Sequence, residues 1–209
     1  MTDTGLDPFS AHRVPAAGRG WTLEPGRTAL VVVDMLNDFC EPGGAMVLAE
    51  ADRLYAPIAR LVEAVHASGG KLIWACDRHD TLDDAEFRKR TPHCLADTWG
   101  AEIVDALPTH PDDFMLPKRR FSAFFDTVLE QWLQQHDRDQ VIICGVVTNI
   151  CVRSTAHDAF FRDLDVFVPR DACAATSERE QQSTLYDIST HFGTVTDVAT
   201  LVAALNQSI

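Results

Sequence analysis

The run Thr28-Ala-Leu-Val-Val-Val33, closed by Asp34, decides the fold. Uncharged and rich in β-branched side chains, it reads as a strand covered on both faces, with an aspartate at its carboxyl end. Comparable runs at 71–76, 113–117, 140–146, 165–169 and 194–196 bring the expected total to about six strands. Amphipathic stretches alternate with them. Leu54, Ile58, Leu61, Val62 and Val65 fall on one helical stripe that ends at Gly69-Gly70, and Phe124, Phe125, Val128, Leu129, Trp132 and Leu133 form another. A further helix is predicted from Thr148 through Phe161, and one more over 177–191, opened by Ser177 with Glu180 at capping-box spacing. This alternation predicts an α/β protein with a mainly parallel sheet in three layers, α/β/α.

The 209 residues, 46% of them hydrophobic, suffice for one core, placed at 26–209 after a Gly/Pro/Ala-rich extension over 1–25. That extension lacks the apolar stretch of a signal peptide. No segment approaches the ~20 apolar residues of a membrane span. Eighteen Lys and Arg against 31 Asp and Glu give a net charge of -13, which repels phosphate backbones and acidic membranes, so neither nucleic acid nor membrane is an expected partner. The six cysteines show no C-x-x-C pair and no zinc-finger spacing, which predicts reduced thiols in a cytoplasm.

Chemistry gathers at the ends of the strands. Asp34, Lys118 and Cys151 each follow an apolar run, and in an open α/β sheet ligands bind just beyond the carboxyl ends of parallel strands. Cys151 falls in the first turn of the helix predicted from Thr148, where partial positive charge and a nearby lysine favour a low-pKa thiolate. Asp34 can take the thiol proton and return it to a leaving amine, while Lys118 holds both partners and tunes the carboxylate. Taken singly, each residue also fits a plain role: a strand-end aspartate, a solvated lysine, a packing thiol. A charge at a buried strand end needs a partner, and that favours reading them together. The polar segment 77–100 is long for a compact domain and is expected to be irregular; loops of that length are functional or disordered.

Three blocks resemble the isochorismatase-like cysteine hydrolases, a superfamily that includes nicotinamidases and carbamoylsarcosine, ureidoacrylate and biuret amidohydrolases: 28–39, beginning Thr-Ala-Leu-Val-Val-Val-Asp34; Lys118-Arg-Arg-Phe-Ser-Ala-Phe-Phe125; and Gly145-Val-Val-Thr-Asn-Ile-Cys-Val152. The resemblance implies a triad of Cys151 as nucleophile, Asp34 as general acid/base and Lys118 as third member. It also implies a cis peptide at Val146-Val147 and an oxyanion hole from the backbone N–H groups of Val147 and Cys151. Implied too are a homo-oligomer, for which Phe160-Phe161 offers a seam, and hydrolysis of a small amide or ureide through a thioester. A vinyl-ether hydrolase of isochorismatase type and a non-catalytic small-molecule binder are the alternatives.

Candidate substrate contacts are Phe39, Trp99, Arg119, Phe121 and Asn149. No cofactor is required by this chemistry. Asp77, His79 and His93 resemble the nicotinamidase block that binds a divalent metal, zinc or similar, although Asp80-Thr-Leu-Asp-Asp-Ala-Glu-Phe87 departs from its usual continuation and hydrogen-bonded loop histidines are the competing reading. The chain lacks a P-loop, G-x-G-x-x-G and G-x-S-x-G, which disfavours phosphotransferases and serine α/β-hydrolases. Cys144, inside an apolar run, is an unconvincing redox partner for Cys151.

Overall fold

The computed structural model of the chain describes residues 21–207. Seven strands form one sheet: β1 (Thr28–Val33), β2 (Lys71–Asp77), β3 (Phe114–Lys118), β4 (Gln140–Val146), β5 (Asp165–Pro169), β6 (Cys173–Ala174) and β7 (Thr194–Thr196). Their order is β3-β2-β1-β4-β5-β7, with β6 paired to the end of β4, and every pair is parallel. The expected six strands are present; the two-residue β6 is too short to leave a pattern. The helices are α1 (Asn37–Cys40), α2 (Tyr55–Ala67), α3 (Leu129–Gln135), α4 (Arg153–Phe160), α5 (Glu178–Asp187) and α6 (Val198–Asn206).

The chain runs outward from β1 through β2 to β3, then crosses back to β4 and continues outward on the other side. The order therefore reverses between β1 and β4, where an open sheet leaves a crevice at its carboxyl end. Both strands are buried along their whole length, because helices cover both faces of the sheet. Gly145 makes their close approach possible. It has φ +107, and a Cβ there would lie 2.1 Å from the carbonyl oxygen of Val33, its register partner.

Ile58, Leu61, Val62 and Val65 on α2 are fully buried, as their spacing predicts. Ser177 Oγ accepts the Glu180 N–H and starts α5 at its predicted position. The second predicted stripe is corrected: only its end, from Leu129, is helical. Ser122 Oγ accepts the Phe124 N–H, Thr127 Oγ1 donates to the Ala123 carbonyl, and Asp126 adopts φ +55. These local bonds give the backbone an alternative to helix, leaving Phe124 buried but Phe125 and Val128 exposed.

Of the expected 1–25 extension, residues 1–20 lie outside the described residues. Beyond them the chain packs on the sheet: Trp21 lies 5.2 Å from the Phe167 ring, Leu23 is buried, and the Glu24 N–H donates to Gln140 Oε1 at 2.7 Å. All six cysteines are free thiols. Among the described residues no helix is long and apolar enough to cross a membrane.

Candidate active site

Four strand ends supply the site. Asp34 follows β1, Asp77 closes β2, Lys118 closes β3, and a π-helical turn over Thr148–Val152 after β4 carries Cys151. Register places Asp77 beside Lys118. Asp34 turns out of β1 with φ +52, its N–H bonded to the Ala75 carbonyl on β2. Its Oδ1 accepts the Asp77 N–H at 2.8 Å, and its Oδ2 faces Lys118 Nζ at 2.7 Å. Lys118 Nζ also lies 3.9 Å from Cys151 Sγ and 3.9 Å from Asp77 Oδ1. One buried ammonium thus faces two carboxylates and the thiol. The peptide bond Val146-Val147 is cis.

Burial and charge set the protonation states. Burial pushes the Asp34 carboxyl up; Lys118 pulls it back and Asp77 adds repulsion, leaving it raised to about 6. Burial pulls the Lys118 ammonium down, but the carboxylates of Asp34 and Asp77 more than reverse this, so it stays charged. The low-pKa thiol expected from sequence is corrected. Burial pushes Cys151 well up, Lys118 opposes this, and Asp34 adds to the rise, so the thiol rests protonated. A helix terminus and one lysine do not outweigh desolvation beside two carboxylates.

These groups open on a cavity of about 570 Å³ lined by Asp34, Cys151, Val146 and Val147, by Phe39 and Phe121, and by the loop from Met46 to Glu50. Asp77, Glu86, Arg90 and His93 form another part of the wall, and Ser177, Glu178 and Gln181 a third. Of the expected substrate contacts, Phe39 and Phe121 line the cavity. Trp99, Arg119 and Asn149 do not. Trp99 is 49% exposed and offers its carbonyl to Asn37 Nδ2; Arg119 is exposed, with Asp126 as its nearest acid; Asn149 is hydrogen-bonded to Thr176.

Sequence reading missed Arg90, Glu86 and Gln181. Gln181 carried a usable signal, since it lies one turn past the Ser177 cap of a helix that starts at the sheet's carboxyl end. Its Nε2 donates to the Cys173 carbonyl, while its buried Oε1 has no partner within the described residues. Arg90 and Glu86 sit in the irregular segment and had no such signal.

Asp77, His79 and His93 form a buried cluster whose ligand atoms lie within 4.8 Å of one another. His93 Nδ1 bonds to the Thr91 carbonyl at 2.7 Å, and this aims Nε2 at Asp77 Oδ2, 3.1 Å away. His79 Nε2 is 3.5 Å from Asp77 Oδ2 and its Nδ1 is 3.3 Å from Asp84 Oδ2, yet neither nitrogen makes an aligned hydrogen bond. The orphaned buried nitrogens of His79 beside a carboxylate fit a divalent cation, with the Thr91 carbonyl orienting the His93 ring. Burial raises Asp77, but Lys118 and the two histidines pull it well below the carboxylate range. Burial lowers both histidines, and the Asp77 carboxylate beside them more than offsets it, so both are raised.

Asp38 holds this loop in place. Its Oδ2 accepts the Cys94 N–H at 2.6 Å and its Oδ1 the Ala45 N–H at 2.9 Å, while a Cβ on Gly100 would lie 2.3 Å from the same carboxylate.

Residues 28–200 match the Isochorismatase domain family. A cysteine hydrolase from Pseudomonas syringae pv. phaseolicola superposes with a TM-score of 0.84 at 29% identity, over 90% of this chain and 97% of the other. An N-carbamoylsarcosine amidase from Thermoplasma acidophilum gives 0.74 at 31% identity, over 82% and 96%. A pyrazinamidase of Pyrococcus horikoshii in complex with zinc gives 0.76 at 27% identity, over 82% and 99%.

Proposed function

The chain belongs to the isochorismatase family of hydrolases, and on that premise we propose that it is a cysteine-dependent amidohydrolase of a small amide or ureide. One observation carries the reading: Lys118 Nζ stands 2.7 Å from Asp34 and 3.9 Å from Cys151 Sγ, and both partners open on one cavity. Gln181 Oε1, without a partner among the described residues, is an acceptor for a substrate N–H, which an amide offers and a vinyl ether lacks.

Cys151 sulfur attacks the carbonyl as its proton passes to Asp34, forming the C–S bond. Asp34 is ionised at neutral pH and accepts that proton, while Lys118 keeps its charge and steadies the carboxylate. Collapse of the tetrahedral intermediate breaks the C–N bond, and the amine leaves with the Asp34 proton. Water then adds to the thioester, its proton going to Asp34 and from there to the departing thiol. The N–H groups of Val147 and Cys151 are the proposed donors to the oxyanion.

Asp77, His79 and His93 are the residues that would hold a divalent cation. Such an ion supplies Lewis-acid polarisation or a fixed point for a substrate nitrogen. A homo-oligomer in a reducing cytoplasm completes the proposal, supported by the free cysteines and by the exposed Phe160 and Phe161.

Ammonia release from a panel of small amides and ureides, compared between the wild type and Cys151→Ala, tests the reading. Loss of at least 10³-fold with an unchanged melting temperature is expected. Equal activity in the two proteins rules out covalent catalysis.

A further inference from the structure

We propose that Arg90 selects the substrate by receiving a carboxylate that the substrate carries beside its scissile amide. The proposal rests on the amidohydrolase reading and names the class of molecule that reading leaves open.

Arg90 lies in the cavity wall with its side chain 31% exposed. Its guanidinium carbon sits over the Phe121 ring, 5.2 Å from the centroid, a placement that fixes the group by cation–π attraction. The nearest carboxylate oxygen, Glu86 Oε1, is 3.6 Å from Nε, beyond hydrogen-bond reach. A guanidinium carries five N–H donors, and within the described residues none of those on Arg90 finds an acceptor. Arg120, by contrast, is engaged by Asp84 at 3.0 Å.

Glu86 cannot serve as a dedicated counter-ion. It lies 3.6 Å from Arg90, 3.8 Å from Arg120 and 3.9 Å from His93, so one carboxylate is shared among three basic groups. Asp34, on the same cavity, is already matched by Lys118. Arg90 is thus a cation in the cavity wall, stacked on the Phe121 ring, with its charge only partly met by Glu86. A planar carboxylate fits that fork by two parallel hydrogen bonds, and a neutral ester fits it less well. Phe39 and Phe121 add apolar wall to the same cavity.

The test uses N-carbamoylglycine and its methyl ester. Binding is measured by calorimetry in a Cys151→Ala background, which prevents turnover, and ammonia release is measured with Cys151 present. Arg90→Met, Arg90→Lys and Arg53→Met are compared, each checked by melting temperature. Arg53 serves as control because it lines the same cavity.

With Arg90 in place, the acid is expected to bind about 10- to 100-fold tighter than the ester. The ratio collapses towards one in Arg90→Met, is partly kept in Arg90→Lys, and survives in Arg53→Met. Equal binding of both probes, binding of neither, a preference that persists in Arg90→Met, or a collapse caused by Arg53→Met overturns the proposal. An Arg90-dependent preference without ammonia release upholds the anchor and counts against the hydrolase reading. Ammonia release without any preference for the acid does the reverse.

Discussion

Lys118 Nζ and Asp34 Oδ2 stand 2.7 Å apart, with side-chain exposures of 0% and 1%. Opposite charges so far from water hold each other in place, and neither tolerates loss of its partner. Lys118→Met leaves a buried carboxylate whose remaining hydrogen bond is the Asp77 N–H. The unfolding free energy in urea is expected to fall by about 3–5 kcal/mol. Adding Asp34→Asn should recover part of the loss, because the uncompensated charge goes with it. A double variant no more stable than Lys118→Met would show that packing, not charge, sets the cost.

The raised Asp34 carboxyl fixes the acid side of the pH profile. Burial lifts it from 3.8 to about 6, and the proposed mechanism needs it ionised before attack. The ionised fraction is half at about pH 6 and falls tenfold per unit only well below it, so kcat/KM should bend downward near pH 6 and reach unit slope below about pH 5. Lys118 contributes no limb in that range, because its ammonium is shifted upward. An acid limb centred near 4 would remove Asp34 from the role of base.

Gly145 leaves no room for a side chain against the backbone of β1. Alanine there meets the Val33 carbonyl oxygen at 2.1 Å and must adopt φ +107. Overpacking and the left-handed conformation together should cost about 3 kcal/mol or more, visible as a lower denaturant midpoint or loss of soluble protein. Near-wild-type stability would mean that β1 and β4 can separate.

The Asp77–His79–His93 cluster predicts a cation-dependent stability. Zinc added to chelator-treated protein should raise the melting temperature, with about 2.7 kcal/mol of stabilisation when free zinc is 100-fold above Kd. His93→Ala removes one ligand and should abolish most of the rise. Elemental analysis should find one zinc per chain in the wild type and little in the variant. Equal melting temperatures with and without zinc would favour two histidines simply paired with the Asp77 carboxylate.

Local pattern reached the sheet and its reactive ends because both are written in contiguous residues. Val31, Val32 and Val33 are buried wherever β1 lies in a covered sheet, and any group that follows it emerges at the carboxyl end. Asp34, Lys118 and Cys151 were therefore legible together. The helix expected over Phe124 to Leu133 failed at its start because hydroxyls of Ser122 and Thr127 bond the backbone locally, an effect that apolar spacing does not register. Trp99 and Arg119 failed as pocket residues because proximity in sequence to reactive groups does not set side-chain direction in an irregular segment.

By itself the sequence determined the α/β order, the strand ends and the three reactive groups placed on them, since burial periodicity and residue chemistry are local properties. Tertiary structure alone decided the protonated state of Cys151, the exclusion of Asn149 from the cavity and the arrival of Arg90 in its wall. Those outcomes depend on what surrounds a side chain: water excluded from the thiol, carboxylates brought from β1 and β2, and a loop pinned where Asp38 accepts the Cys94 N–H across 56 residues.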